Sequence, residues 1–350
     1  MPEYTFLDCK EINKQVQEAK LAEQEGGVFS EVRGEGVALV KDISSGFTTT
    51  NKPKFTGNLA NIDVAQFNVW SNSAAFRTIS ENEIVPGETF VFVRYSISKF
   101  GFVIEYLEVI EDAELNPEDF IYQKYKIQDK NVEYLEALKN SGASARAVEV
   151  INEILGIGTG NYMHKRFSHE QAALNNHDNC MTGLLAHTIK CLRIYNGIKD
   201  IYKNIFGDKV VNDLMVIGLI IHDCGKVYEM YNGAYQKYSY VSHRGLGAEH
   251  LSKYKDYITE KYDEDFYYML YSIIMQHHDV YGDPAKTLYA FIAHQIDNID
   301  AILTSIDEII ENGTYTEDMS GTKIRFGDRY FNIRKASDDN NQENTQDLVG

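Results

Sequence analysis

No apolar run in this chain approaches the roughly 18 residues that a membrane-crossing helix needs. The opening MPEYTFLDCKEINKQ also lacks the basic-then-apolar pattern of a signal peptide. A cytoplasmic protein with no membrane partner is the expectation. Cysteine is scarce: Cys9, Cys180, Cys191 and Cys224 stand without CxxC spacing, which gives neither a zinc knuckle nor a disulfide framework. Positive charge is short as well. There are 34 Lys and Arg against 52 Asp and Glu, a net charge of −18, which counts against wide, non-specific binding to nucleic-acid phosphates. A narrow site in which bound cations supply the positive charge remains compatible with that balance. Part of the excess sits in the polar, aromatic-free C-terminus with Asp338, Asp339, Glu343 and Asp347, expected as a disordered acidic tail over 337–350.

What is present divides the chain in two. At 350 residues, 43% of them hydrophobic and 25% charged, it is long enough for two globular domains. Residues 1–26 form a charged, helix-compatible lead. Over 27–112 the pattern is β-rich, with five strand candidates: GVALVKDIS, FTGNLANI, AQFNVWS, ETFVFVRYSIS and FGFVIEYLEVI. Turn signals at Asn51-Lys52-Pro53, Ser71-Asn72-Ser73 and Pro86-Gly87 separate them. Five strands in that length suggest a small β-barrel with an OB-fold as the leading candidate. From Asn116 the period becomes helical, with amphipathic stretches at 117–128, 130–140, 144–155, 168–178, 181–204, 208–222, 247–262, 265–278 and 286–311. Residues 113–165 read as a helical connector, 166–312 as an all-α domain and 313–336 as a closing hairpin. The fold class expected is therefore multidomain, a small OB-fold-like barrel followed by an all-α domain.

The sharpest local signal is His222-Asp223 in LMVIGLIIHDCGK, at the end of a helix apolar enough to be buried. Imidazole and carboxylate together suit ions such as Mn2+, Fe2+, Zn2+ or Mg2+. Gly225 lets the chain turn away, and Lys226 follows within reach of anything bound. A lone pair of this kind could equally cap a helix C-terminus. The surroundings change that balance. His187 lies in GLLAHTIKCL, His243 in VSHRGLGAEHL, His277-His278 in IIMQHHDVYGDP and Asp297 in AHQIDNIDAIL, most of them among apolar neighbours. Seven of the ten histidines fall between 187 and 297, counting His250 and His294, and they are spread over several helices. Convergence of that many ligand types points to a metal centre.

The order H…HD…H…HH…D resembles that of the HD-domain phosphohydrolases. More narrowly, the chain resembles the bacterial YhaM-like 3′→5′ exoribonucleases, which join an OB-fold to an HD domain. Phe167, Ala172-Ala173, His177 and GLLAHT are similar to that family's entry segment, as are LIIHDCGKVYE and HQIDNIDA to its diagnostic strings and GTYTEDM…GDRYFNIR to its closing hairpin. The resemblance implies His187, His222, Asp223 and Asp297 as ligands of one metal, with His243, His277 and His278 completing a second site and Asp223 bridging. It implies Asp223 and Lys226 as catalytic, Lys226 contacting the scissile phosphate. Two divalent cations follow, with Mn2+ favoured and Mg2+, Fe2+, Co2+ or Zn2+ as alternatives. The family's third histidine follows the glycine of an LGH string, where this chain has Ala248. His243, four residues before Gly247, matches instead the HxxxGAE arrangement of other HD proteins, and His250 is the fallback ligand. Asp300, three residues after Asp297, is not separable by spacing; the resemblance favours Asp297.

In the β module Lys54, Phe67, Trp70 and Arg77 are the nucleic-acid-binding candidates, with Phe76, Phe90 and Arg94 as further stacking and phosphate contacts. Residues 27–112 hold seven Lys or Arg against eleven Asp or Glu, the wrong sign for an electrostatic groove. The leading function is a metal-dependent 3′→5′ exoribonuclease, a phosphodiesterase that releases nucleoside monophosphates from single-stranded RNA, with single-stranded DNA as a further substrate. One alternative keeps the site and changes the substrate to cyclic or signalling nucleotides. Another is a catalytically degenerate nucleic-acid-binding scaffold. The closing hairpin is compatible with a homo-oligomer.

Overall fold

The structure, a computed structural model, describes residues 4–159, 162–174, 178–279, 282–311, 313, 315–318 and 321–333. His177, Arg334 to the end of the hairpin, and the acidic tail lie outside the described residues. The N-terminal lead becomes helix α1, Cys9–Gln24, capped by Asp8, whose carboxylate accepts from Glu11 N at 2.9 Å. Strands β1 (Val32–Phe47), β2 (Pro53–Asn61), β3 (Asp63–Trp70), β4 (Phe90–Ser98) and β5 (Gly101–Ile110) follow, with helix α2 (Ala74–Glu81) between β3 and β4. The strand order β1-β2-β3-β5-β4 closes into a barrel. β1 is longer than its sequence signal because its two halves serve different partners. Residues 32–39 pair with β4 and 39–47 with β2, and a bulge at Lys41 lies within the second half. Alternation along β3 turns Ala65, Phe67 and Val69 inward, where they meet Leu59, Val91, Val93, Ile97, Phe102 and Ile104.

The stretch expected as a helix over 117–128 is a single 3-10 turn, Pro117–Phe120. Phe120 O accepts from Ile62 N at 2.9 Å, and Ile121 bridges to Ile62. Pairing with the barrel overrides the helical period there. The helical region then runs through α3 (Ile127–Ser141), α4 (Ala145–Leu155), α5 (Tyr162–His169), α6 (Gly183–Lys199), α7 (Lys203–Phe206), α8 (Lys209–Ile221) and α9 (Lys226–Glu229). After the short strands β6 (Met230–Tyr231) and β7 (Ala234–Tyr235) come α10 (Ser242–Ser252), α11 (Lys255–Lys261), α12 (Glu264–Gln276) and α13 (Leu288–Glu311). The expected helix over 168–178 ends instead at His169. The backbone beyond it is satisfied by the approach to α6: Thr182 N donates to His169 O, Leu184 N to Glu170 O and Ala172 N to Asp178 O. No helix among the described residues is long and apolar enough to cross a membrane.

α8 is apolar nearly all round and runs through the core, so its burial is expected of a central helix. Its one buried acid, Asp213, is fully used. It accepts from Ser144 N at 2.9 Å, from Ser144 Oγ at 2.6 Å and from Tyr262 OH at 2.9 Å, which ties α8 to the start of α4. The barrel meets the helices through the β6–β7 hairpin. Lys41 Nζ donates to Asn232 O at 2.8 Å, and Asn232 Nδ2 donates to Gly87 O at 3.1 Å. The chain divides into two compact units, Met1–Asp297 and Asn298–Gly350. The second contains the end of α13 and an antiparallel sheet of β8 (Tyr315–Asp318), β9 (Gly321–Phe326) and β10 (Arg329–Ile333) in the order β10-β9-β8.

Candidate metal centre

Five helices deliver the ligand types to one place. His187 is one turn into α6, His222 caps the C-terminus of α8, His243 opens α10 and His277 caps the C-terminus of α12. Asp223 and His278 follow their capping neighbours directly, and Asp297 comes from α13. Two helix C-termini converge here, so the local backbone dipoles favour positive charge. The caps also orient the rings. His222 Nδ1 donates to Leu219 O at 2.9 Å and His277 Nδ1 to Ile274 O at 2.9 Å, while His243 Nδ1 faces Glu229 Oε2 at 3.0 Å. Each of these contacts places the proton on Nδ1 and leaves the Nε2 lone pair pointing into the cluster. A histidine that caps a helix and one that offers a ligand atom are thus the same residue.

The donors form two groups around Asp223. In the first, His187 Nε2 lies 3.2 Å from His222 Nε2, 3.2 Å from Asp297 Oδ1 and 3.6 Å from Asp223 Oδ2, and His222 Nε2 lies 3.5 Å from Asp223 Oδ2. In the second, Asp223 Oδ1 lies 3.4 Å from His277 Nε2 and 3.5 Å from His243 Nε2, and His243 Nε2 lies 3.2 Å from His278 Nε2. Neighbouring ligands about 2.1 Å from a shared cation stand roughly 3.0–3.5 Å apart; the second group falls within that range at 3.2–3.5 Å, and the first runs a little wider, from 3.2 to 3.9 Å. Asp223 turns one carboxylate oxygen to each.

Two further observations fit a cation. Asp223 Oδ1 and His277 Nε2 are buried without a hydrogen-bond partner among the described residues, an arrangement that is costly unless something else satisfies them. The protonation states are also those that ligands require. Burial pushes His222 down to about 4 and His278 to about 3, the latter helped by His277 and His243, and burial lowers His243 too. Burial alone would raise Asp223, but the Lys226 ammonium and the adjacent imidazoles outweigh it and hold the carboxyl well below its usual range. Asp297 is likewise held low, His187 outweighing its burial.

Lys226 Nζ donates to Asp223 Oδ2 at 2.6 Å. Burial opposes its charge, but Asp223 raises its pKa above the ordinary lysine value, so it stays an ammonium. Lys226, His278 and Asp297 are partly exposed while His187, His222, Asp223 and His277 are buried. The open edge of the cluster is therefore the edge that carries the lysine.

Other histidines have different partners. His250, the fallback ligand, spends both ring nitrogens elsewhere: Nε2 donates to Ile154 O at 2.8 Å, near the end of α4, and Nδ1 meets Tyr228 OH at 2.9 Å. His294 Nδ1 donates to His277 O at 2.7 Å, bracing the segment that carries His277. His169 Nδ1 meets Lys165 O at 2.7 Å. Asp300 Oδ1 accepts from Thr304 Oγ1 at 3.1 Å. Two residues near the cluster were not singled out from the sequence. Glu229 became a partner of His243 only through the fold. Cys191, at i+4 from His187 on the same helix face, could have been found by its spacing.

Gly225 is required for a reason other than the expected turn. Its backbone is ordinary right-handed helix, φ −66°, but a Cβ there would stand 1.8 Å from His243 O and 2.5 Å from Gly247 N. Only glycine lets α10 approach closely enough to bring in His243. In the barrel, Phe67 is 1% exposed and belongs to the core, so it has no ring face open to a base and is not a stacking surface. Phe90 is buried in the same way. Arg77 is exposed; Trp70 is half-buried, and Lys54 is the cross-strand neighbour of Trp70, with Nζ 5.9 Å from its ring.

Comparisons with known proteins point in one direction. The chain is similar to the 3'-5' exoribonuclease YhaM of Listeria welshimeri, 28% identical over 165 residues, 44% of this chain and 50% of the relative. It is 26% identical to that of Bacillus subtilis over 224 residues, 60% of this chain and 66% of the relative. It is 22% identical to that of a Geobacillus strain over 302 residues, 80% of this chain and 86% of the relative. The chain thus spans about half the length of the Listeria relative it matches. No family profile matches, and no solved structure matches.

Proposed function

We propose that this chain is a metal-dependent phosphodiesterase of HD type, a 3′→5′ exoribonuclease that removes nucleoside monophosphates from single-stranded RNA and also acts on single-stranded DNA. The observation that carries the reading is the donor cluster, seven residues in two groups with Asp223 turned to both. Similarity to proteins named 3'-5' exoribonuclease supplies the substrate class. In this reading the barrel is an OB-fold over 27–112, joined by a connector over 113–165 to an HD domain over 166–312.

His187, His222, Asp223 and Asp297 would hold one divalent cation, and Asp223, His243, His277 and His278 the other, with Mn2+ the first choice. When bound, such a pair supplies Lewis-acid polarisation of a phosphoryl group and a more acidic attacking water. The chain's own residues do the rest. Glu229 and the carbonyls of Leu219 and Ile274 hold the rings in one tautomer. Lys226, at the open edge, offers its ammonium to the scissile phosphate. His294 steadies the backbone of His277. Trp70 with Lys54, and Arg77, are the barrel groups placed to meet a strand.

The test is incubation with RNA labelled separately at its 3′ and 5′ ends in the presence of Mn2+. Stepwise shortening from the 3′ end, absent in Asp223→Ala, is expected. Intact RNA in the presence of a metal-loaded chain would overturn the exoribonuclease reading. The acidic barrel, in which Phe67 is buried, favours cyclic or signalling nucleotides as the second reading; their cleavage by the same preparation would establish it.

A further inference from the structure

Residues 230–242 supply no donor to either group, yet they are built onto the cluster. Their two ends are joined there: Glu229 Oε2 stands 3.0 Å from His243 Nδ1, so the segment is a loop closed at its base beside the donors. A second tie runs from Gln236 N to Glu229 O at 2.9 Å, next to the Met230–Tyr235 pair of the β6–β7 hairpin. The hairpin turns at Asn232-Gly233, with φ of 47° and 64°, and this tip is seated on the barrel, where Lys41 Nζ and Gly87 O meet Asn232. The loop thus reaches from the barrel to the metal cluster.

Its composition is unlike that of the chain around it. No Asp or Glu occurs from 230 to 248, although acids make up 52 of the 350 residues, and Lys237 and Arg244 leave the segment positive. Tyr235, Tyr238 and Tyr240 are 53%, 55% and 80% exposed. Single exposed aromatics are ordinary, but three within six residues leave ring area in water that the fold does not use. Tyr238 and Tyr240 stand edge to face with centroids 6.2 Å apart, and Lys237 Nζ lies 5.6 Å from the Tyr238 ring. Burial raises the Tyr235 hydroxyl above its ordinary value, Glu229 adds to the shift and Lys226 opposes it, which sets this tyrosine in the field of the lysine at the open edge.

We propose that this loop is the platform on which the 3′-terminal bases of a single nucleic-acid strand stack. Tyr235 takes the base beside the scissile phosphate, Tyr238 and Tyr240 take the bases before it, and Lys237 meets the phosphates between them. A duplex cannot use such a surface because its bases are already stacked on one another, so the partner is a single strand. The local charge suits a polyanion where that of the barrel does not, since residues 27–112 carry seven cations against eleven acids. Stacking accepts any base, and the loop therefore gives grip without sequence preference, as stepwise removal of nucleotides requires.

The proposal rests on the exoribonuclease reading for its substrate, so binding is measured apart from cleavage. The full chain, held in chelator, is titrated against a fluorescein-labelled oligoadenylate of about 12 nucleotides and an abasic strand of the same length, with anisotropy as the readout. Tighter binding of the oligoadenylate is expected. Tyr238→Ala and Tyr240→Ala should each weaken it by about 5–100-fold and barely alter binding of the abasic strand, while Tyr238→Phe, which keeps the ring, should bind as the wild type does. With Mn2+ added, the alanine variants should raise KM for RNA more than they lower kcat. Unchanged affinity in both alanine variants, or an equal loss on the abasic strand, overturns the platform; 3′ shortening by the same preparations then leaves the exoribonuclease reading standing. Base-dependent binding with no shortening in Mn2+ keeps the platform and overturns that reading instead. Should the alanine variants fail to fold, a strand carrying 5-iodouridine is photocrosslinked to the unaltered chain. Crosslinks in the peptide that holds 235–240 support the proposal, and crosslinks confined to Trp70 or to other peptides overturn it.

Discussion

At the scale of single residues, the proposed function divides the cluster into groups that would hold cations and a group that would meet substrate. Lys226 touches Asp223 but sits at the partly exposed edge. Lys226→Ala should lower turnover by about 10²–10³-fold, the usual effect of removing a charge that stabilises a transition state. Its metal content should be unchanged by elemental analysis, and loss of metal would make the lysine structural. Glu229 acts one layer out, through the Nδ1 of His243. Glu229→Gln is expected to weaken binding of one cation by about 10–100-fold and leave the other in place, as measured by titration calorimetry. Equal weakening of both would mean that Glu229 supports the whole cluster rather than one ring. His250 shows why residue type alone misleads. It is buried and close in sequence to His243, yet both its nitrogens are committed to Ile154 and Tyr228.

At the scale of elements, the site depends on helix ends meeting at close range. α8 and α12 each finish on a histidine whose Nδ1 returns to the carbonyl three residues back. α10 reaches them only because residue 225 has no side chain. Gly225→Ala would drive a methyl into the backbone of His243 and Gly247, and backbone cannot yield as a flexible side chain does. A destabilisation of about 1–3 kcal/mol is expected for such overpacking, measured by denaturant unfolding, together with loss of the cation that depends on His243. Wild-type stability with full metal content would show that α10 can shift without consequence. The barrel follows the same logic in a different geometry. β1 is shared between two partner strands, and its bulge falls at Lys41, whose ammonium reaches the β6–β7 hairpin.

At the scale of the whole molecule, the buried cluster sets a pH dependence. His222 and His278 resist protonation in the fold until about pH 4 and about pH 3, whereas in the unfolded chain they take protons near 6.5. Below that value the unfolded state binds more protons, so stability falls with falling pH until the folded values are passed. Asp223 and Asp297 act in the same direction: held low in the fold, they contribute stability above the ordinary carboxylate range that is lost on further acidification. The chelator-treated chain should therefore melt at a lower temperature at pH 5 than at pH 7. A melting temperature that is flat or rises between those values would contradict the depressed imidazoles. Cation at pH 7 should raise the melting temperature with concentration, as for any ligand of the native state alone.

The sequence by itself determined which residue types would gather and roughly where helix and strand lie. Periodicity located the five barrel strands, and the apolar sequence neighbours of most of His187, His222, Asp223, His243, His277, His278 and Asp297 marked them because ionisable side chains rarely sit among apolar neighbours without a shared purpose. Tertiary structure decided what local pattern could not carry. The helical periodicity of 117–128 and 168–178 is not followed at Phe120–Ile121 or over 170–174, where pairing with the barrel and with the approach to α6 engages the backbone in other ways. Phe67 has the composition of a stacking surface and the strand phase of a core residue, and phase prevailed. The choice between His243 and His250, the partnership of Glu229 and the place of Cys191 beside His187 all depend on distances between helices. Those distances are set by how side chains pack across the core, a property of pairs far apart in sequence that no single segment encodes.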